Sequence, residues 1–463
     1  MTNKEYLRSI VTLAIPVALQ NLLATCANIV DTAMVAGLGN AQIAAVGVAG
    51  RWVFFLNVIF WGLATGTGAQ LSQYWGAGET DNMRRTQFTA TASCVGLASV
   101  FALAALIFPR QLIMLFNREP EVIAAGAEYI RIIAVGLVFS AVAFACSTAY
   151  RATENVKLPM YVSALSVITN TALNYILIFG NFGAPALGVR GAAIATCTSL
   201  VLQGVIFIII GIVKRHFSVM SISAVRDTRS AFVKKYMGIS LPAALNEALW
   251  GGGVVICAAI FARQGSENYA AFTIYTSLEN IAFIFFQGLA AATSVMVGKY
   301  VGGGRIKTAY NFAKRTMIVT PIMGFVMGLL LIVLRDPLLM LFDIETEAAR
   351  QTVRTLLLIY GLWFGVRMIN YSSVVGIFRA GGDSRYGVFV DLLGQYISSV
   401  PSVLFVTYVL HVPFVVSVAT MLVMDDIVKA PLNIRHFISR KWIKKLTLSG
   451  CCTEEETECS NSF

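Results

Sequence analysis

The stretch "AIPVALQNLLATCANIVDTAMVAGLG", residues 14 to 39, is apolar along most of its length yet carries a proline, Pro16, and a carboxylate, Asp31. A membrane-spanning helix needs roughly 20 mainly apolar residues, and this run supplies them. An ionised Asp at the centre of such a helix costs about 2.5 to 3.5 kcal/mol on insertion scales. Something must offset that cost, and the rest of the chain indicates what surrounds the acid.

The 463 residues are 57% hydrophobic and only 13% charged, with a mean hydropathy of +0.73. Soluble domains use far less apolar material and about twice the charge, so the chain belongs in a bilayer. Twelve apolar segments follow one another, approximately at 12 to 36, 43 to 72, 87 to 108, 125 to 149, 159 to 180, 190 to 213, 238 to 262, 269 to 297, 316 to 334, 352 to 377, 388 to 410 and 413 to 433. The fold class expected is an all-α integral membrane protein.

A net charge of +11 invites a nucleic-acid partner, but the positions of the charges argue for orientation instead. With the N-terminus in the cytoplasm, the inner loops collect "MRR" (83 to 85), Arg151, Lys157, "KR" (214, 215), Arg226, Arg229, "KK" (234, 235), Lys299, Arg305, Lys307, "KR" (314, 315), Arg379, Arg385 and the tail "RKWIKK" (440 to 445). That is the positive-inside pattern, and it puts both termini in the cytoplasm of a multi-pass plasma-membrane protein.

Chemistry of the enzymatic kind leaves no trace in the sequence. Five of the eight cysteines, Cys26, Cys94, Cys146, Cys197 and Cys257, fall in apolar segments, where a thiol serves as a small buried hydrophobe. The other three, Cys451, Cys452 and Cys459, sit in an acidic tail expected to be disordered. No CxxC or HExxH appears, and the three His are isolated, so neither a metal nor a cofactor is expected. The glycine clusters "WGAGETDNMRR" and "YVGGGRIKTAY" lack the phosphate-cradling GxxxxGK[ST] pattern and read as tight helix-to-helix turns.

The chain is also written twice. A shift of 226 residues lays "AIPVALQNLLA" (14 to 24) on "SLPAALNEALW" (240 to 250), with Pro16 over Pro242, and "WGLATGTGAQLSQYWGAG" (61 to 78) on "QGLAAATSVMVGKYVGGG" (287 to 304). A two-residue adjustment then matches "YRATEN" (150 to 155) with "FRAGGD" (378 to 383). Six segments per copy is an even number, so the halves share one orientation and are related by a pseudo-twofold axis along the membrane normal, the parallel-repeat arrangement of secondary transporters. The expected organisation is an N-terminal six-helix bundle at 1–213, a cytoplasmic linker at 214–237, a C-terminal six-helix bundle at 238–448 and a tail at 449–463.

The embedded ionisable residues are Asp31, Arg51, Glu247, Glu279, Arg367, Asp391, Asp425 and Asp426. Each is a functional hypothesis because lipid penalises a charge without a partner or a wet cavity. For Asp31 the plainer alternative is a static ion pair with Arg51, which a hairpin between the first two segments would bring near. In "ITNTALNYILIFG" (168 to 180), Asn170 and Asn174 lie four residues apart on one helical face. Together with Asp31 and Thr196 they would form a small oxygen-rich site suited to a proton or Na+. Pro16 and Pro242 each remove an internal hydrogen bond and permit a bend, which makes the helix bearing Asp31 a candidate moving part.

These residues carry a family resemblance. The first segment "P…VDTAMVAGLG", the second ending "QYWGAG", the fifth "NxxLNYILIFG", the sixth "GAAIAT" and the seventh "LPAALNEALW" resemble the multidrug and toxic compound extrusion (MATE) family of cation-coupled antiporters, over essentially the whole chain to about residue 448. The resemblance implies a V-shaped pair of six-helix bundles that alternately expose a central cavity, and a coupling cation held at Asp31 with Asn170, Asn174 and Thr196 around it. It also implies that Glu247 is a cation or substrate contact in the second lobe, and Glu279, an embedded acid of the same lobe, is a further candidate for such a contact. Some members carry a second Asp where this chain has Asn174, which leaves H+ against Na+ open.

The expectation is therefore a monomeric antiporter, not an enzyme, that exports organic, drug-like and often cationic small molecules in exchange for H+ or Na+, with the lipid bilayer and no nucleic acid as partner. The alternative is a flippase for a lipid-linked cell-envelope precursor, for which Arg51 and Arg367 are the basic residues able to hold a pyrophosphate. A passive channel would conduct ions without uphill flux.

Overall fold

The structure, a computed structural model, describes residues 2–218, 228–340, 342, 344 and 346–447. The expected tail with its three cysteines and the middle of the expected linker lie outside the described residues. Among the described residues there is no strand, and twelve long helices follow in order: α1 (Asn3–Ala36), α2 (Asn40–Ala77), α3 (Thr80–Ile107), α4 (Pro120–Ala152), α5 (Lys157–Phe179), α6 (Val189–Val213), α7 (Ser230–Ala262), α8 (Ser266–Gly302), α9 (Ile306–Val333), α10 (Glu347–Phe378), α11 (Ser384–Tyr408) and α12 (Phe414–Ile438). Two short helices, Pro109–Met114 and Arg335–Leu339, occupy equivalent places after α3 and α9.

Eleven of the twelve are long and apolar enough to cross a membrane. The exception is α12, whose 25 residues hold Asp425, Asp426 and Lys429 near the middle. Most helices also begin earlier than hydropathy indicates: α1 starts at Asn3 rather than near 12, and α7 at Ser230, inside the stretch expected to be linker. Hydropathy marks only the part bathed in lipid. The helix continues past it because backbone groups near the interface still need partners, and the Thr2 and Glu5 side chains close a capping box at the start of α1.

The glycine-rich turns behave as expected. Gly78 after α2 and Gly304 after α8 both have φ +74°, a left-handed conformation that lets the chain reverse into the next helix.

Contacts between the lobes concentrate on the side of the membrane that holds the N-terminus. There the backbones of α2 and α7 approach at Gly62 and Gly66, those of α1 and α8 at Gly288, and those of α2 and α8 at Gly76, Gly298 and Gly302. Small residues permit this closeness in membrane proteins, where lipid tails provide little drive for helices to associate. Polar groups reinforce it: the Thr67 and Tyr236 hydroxyls lie 2.9 Å apart, Gln70 Nε2 donates to Ser240 Oγ at 3.1 Å, and Lys299 forms an ion pair with Glu154. Along α1, Tyr6, Ile10, Leu13, Ala14, Pro16 and Val17 are buried, whereas no residue between Ala18 and Met34 is. The half of α1 that carries Asp31 is thus the half the lobes leave unpacked.

A short C-terminal strap completes the closed side. Trp442 is fully buried against Gly381, and the Lys444 backbone N–H donates to Gly381 O at 2.6 Å. Beyond it, the Leu446 N–H reaches across to Gln73 Oε1 of α2 at 3.0 Å. Asp383, in the loop before α11, faces His436 and Lys444 of this region. Burial pushes its carboxyl up, but hydrogen bonds and charge from those two residues outweigh that and hold it below the ordinary carboxylate range.

Candidate functional site

Three helices of the N-terminal half bring the expected residues together. Asp31 comes from α1, Asn170 and Asn174 from one face of α5, and Thr196 from α6. Asn174 Nδ2 donates to Asp31 Oδ1 at 2.6 Å. With its amide turned so that nitrogen faces the carboxylate, Asn170 donates to Asp31 Oδ1 at 2.8 Å and Oδ2 at 3.1 Å. The opposite side of the Asn170 amide then faces the Thr196 hydroxyl at 3.4 Å.

The cluster has one further member, Tyr129 of α4, whose hydroxyl bonds to Thr196. Nothing in its spacing from Asp31 singles it out in the sequence, because the two are joined only by the packing of α4 against α6. Asn170, Asn174 and Tyr129 are all buried, while Asp31 keeps partial access. Two oxygens of this group lack what they need. Asp31 has no ion pair among the described residues, and Asn174 Oδ1 is buried there without a hydrogen-bond donor. Arg51, the residue expected to neutralise Asp31 in the static alternative, is exposed and does not pair with it.

The C-terminal half arranges its acids differently. Arg379 Nη1 sits 2.6 Å from Glu247 Oε1 of α7 and 3.1 Å from Thr65 Oγ1 of α2, so one guanidinium joins the two lobes. Its other nitrogen bonds Asn246, which bonds Asp391 in turn. Lys429 then bridges Asp391 at 2.6 Å and Asp425 at 2.7 Å. Glu279 is paired with Arg367 at 3.0 Å. Both acids expected as second-lobe contacts therefore already hold a cationic side chain in this conformation.

Arg379 also corrects an expectation. Counted with the loop charges from the sequence, it is only 2% exposed and lies inside the fold. Its position follows from α10, whose last turns before Arg379, Ser372–Phe378, are wound as a π-helix that rotates the next residue inward. A second π-helix, Leu392–Ser399, begins right after Asp391. Sequence periodicity assumes 3.6 residues per turn and gives no sign of either.

Pro16 lies buried in α1 where that helix packs on α8, and Pro242 is half-buried within α7. Asn21, which the repeat places opposite Glu247, donates to Gln287 Oε1 of α8 at 2.9 Å. Asp31 falls opposite Cys257, a buried thiol. The halves share a fold but not a chemistry.

Two like-oriented six-helix halves, with polar groups buried in each, make a parallel-repeat transmembrane fold. The family model for MatE matches residues 16–176 and 242–405. This chain belongs to the MATE family, whose members are transporters and not enzymes. It is 23% identical over 449 residues to a probable multidrug resistance protein NorM of Thermotoga maritima, covering 96% of this chain and 95% of that one. It is likewise 23% identical over 421 residues to the uncharacterized transporter YisQ of Bacillus subtilis, with 90% of each chain covered. Among solved structures, the fold is similar to a Vibrio cholerae MATE transporter, VcmN, with a TM-score of 0.83 at 20% identity, covering 95% of this chain and 99% of that one. A MATE protein solved in complex with MaL6 matches at a TM-score of 0.83 and 18% identity, over 93% and 96% of the two chains.

Proposed function

We propose that the chain is an antiporter that exports organic, drug-like and often cationic compounds in exchange for H+ or Na+, and that Asp31 binds the coupling cation. The observation that carries this is the carboxylate of Asp31, partly accessible and without an ion-pair partner among the described residues, beside a buried Asn174 oxygen that has no donor. Lipid penalises both, and a proton or Na+ satisfies both. The name of the Thermotoga maritima relative supports multidrug substrates. With the termini in the cytoplasm, the unpacked side of the lobes faces outward.

A lipid-linked precursor would need free basic groups for its pyrophosphate. Arg367 is neutralised by Glu279, and Arg51 is exposed on a different helix. That weighs against the flippase.

Proteoliposomes with pH and Na+ gradients imposed separately test the reading. One gradient is expected to drive a fluorescent organic cation uphill. Ion current without uphill flux would make the protein a channel, and flux under neither gradient would remove the coupling.

Pro16 is proposed as the bending point of α1. Its missing N–H leaves the Thr12 carbonyl without its intrahelical donor, at the boundary between the packed and unpacked halves of the helix. Pro16→Ala is expected to slow export several-fold, and Pro242→Ala to do less because its lobe has Cys257 opposite Asp31. Cation-dependent spin-label distances across the cleft check this. A Pro16→Ala protein that transports and responds like wild type would rule the bend out.

A further inference from the structure

The middle of the C-terminal helices holds five carboxylates, Glu247, Glu279, Asp391, Asp425 and Asp426, against three bases, Arg367, Arg379 and Lys429. Two pairs cancel, Glu247 with Arg379 and Glu279 with Arg367. Lys429 is shared between Asp391 and Asp425. Asp426 is left with no ion pair among the described residues although it is only 3% exposed. A bundle in lipid does not keep surplus buried charge without compensation.

The surroundings of Asp426 indicate what compensates it. Trp363 Nε1 of α10 donates to Oδ2 at 3.1 Å, and Asn370 Nδ2, two turns further along α10, donates to Oδ1 at 2.7 Å. Asn370 accepts in turn from Asn433 Nδ2 at 2.9 Å. Asn433 is fully buried, and its own Oδ1 has no donor among the described residues. Around Asp31 two Asn lie directly on the carboxylate, whereas here Asn370 lies on it and Asn433 stands behind Asn370 with an undonated oxygen. This cluster is built from α10 and α12, at positions the repeat does not relate to α1 and α5.

We propose that Asp426 is a second cation site, in the C-terminal lobe, and that the cation is a proton. Trp363 carries no oxygen and Asn370 turns its nitrogen to the carboxylate while its oxygen accepts from Asn433, so neither gives a metal ion the oxygen that Asn174 leaves free beside Asp31. No cluster of three or more His, Cys, Asp or Glu among the described residues is arranged for a metal ion. Protonation adds one proton from water to one Asp426 oxygen and removes one of the two surplus charges, the other being shared with Lys429 between Asp391 and Asp425. The charged groups bearing on the site are Arg367 of α10 and Lys429 of α12, which favour the ionised form, and Asp425 beside it, which favours the protonated one. From α11 and α8, Asp391 and Glu279 add negative charge, each tempered by its own base; Tyr360 is the neighbouring phenol. A coupling role for this proton rests on the antiport reading, whereas its binding does not.

Infrared difference spectra of the purified full chain in nanodiscs, between acidic and alkaline buffer, separate the two sites. Asp426→Asn is expected to remove one protonated-carboxyl signal from the wild-type spectrum, Asp31→Asn a different one, and the double variant both. Asn370→Leu keeps the acid but deletes a donor that stabilises its ionised form, so the Asp426 midpoint should move to higher pH. An Asp426→Asn spectrum identical to wild type overturns the site, as does an Asn370→Leu midpoint that stays or falls. Loss of the Asp426 signal when Na+ replaces K+ at constant pH overturns the proton assignment. An Asp426 signal that persists while none is assignable to Asp31 supports this site and removes the other.

Discussion

Asp31→Asn is expected to abolish gradient-driven export while the protein still inserts and folds. The amide has the shape of the carboxyl group. Turned suitably, its oxygen still accepts from Asn174, whose nitrogen lies 2.6 Å from Asp31 Oδ1, and Asn170 can rotate its own amide to match. What the variant cannot do is change charge. A transporter couples only if the cation binds its two conformations with different affinity, and a neutral side chain offers a proton or Na+ almost no difference to exploit. Downhill equilibration of the organic substrate should survive, because nothing in the substitution closes the cleft; uphill accumulation should fall to background under both pH and Na+ gradients. The comparison is between uphill and downhill flux in the same liposomes. Near-normal uphill transport would show that the acid is structural. Failure to accumulate, restored by Arg51→Gln, would favour the static ion pair that the exposed position of Arg51 argues against.

Much of the N-terminal site was legible because its members obey local rules. Asn170 and Asn174 share a helical face by spacing alone, and Asp31 stands out because lipid makes any lone acid conspicuous. The helices were legible for the same reason, to within the turns that project beyond the apolar core. Tyr129 was hidden because an aromatic residue in an apolar helix has no distinguishing mark until its hydroxyl is seen to meet Thr196. The C-terminal network was hidden for a different reason. Arg379 follows a π-helix and Asp391 precedes another, so both depart from regular helical phase. Lys429 has no mark of its own in the sequence, and only the structure shows it between two acids, with Gly394 leaving the space its side chain fills.

Gly302→Leu should have the other large effect, by a mechanism independent of any titrating group. A Cβ at Gly302 would lie 1.9 Å from the Gln73 carbonyl oxygen, and one at Gly76 would lie 1.9 Å from that of Lys299. These are backbone atoms that no rotamer change moves aside, so α2 and α8 must separate. The largest hydrophobic cluster is centred on the C-terminal helices and takes in Tyr6 to Val17 of α1, while another lies wholly within the N-terminal helices; the protein should therefore remain folded while the contact between α2 and α8 is lost. Ser72, Gln73, Lys299 and Glu154 all meet near this point, so wedging it open also weakens the polar latch and the strap that reaches Gln73 from Leu446. The expected result is export reduced to background and a longer spin-label distance between the lobes on the terminal side, with or without a cation gradient. Gly47→Ala and Gly238→Ala, where an added Cβ meets nothing within 4 Å, should transport like wild type. If Gly302→Leu transports normally and the distance is unchanged, the tight approach of α2 and α8 is incidental packing and closure on that side is not part of the cycle. If transport is lost with the distance unchanged, the lobes still close, and the defect lies within the helices themselves.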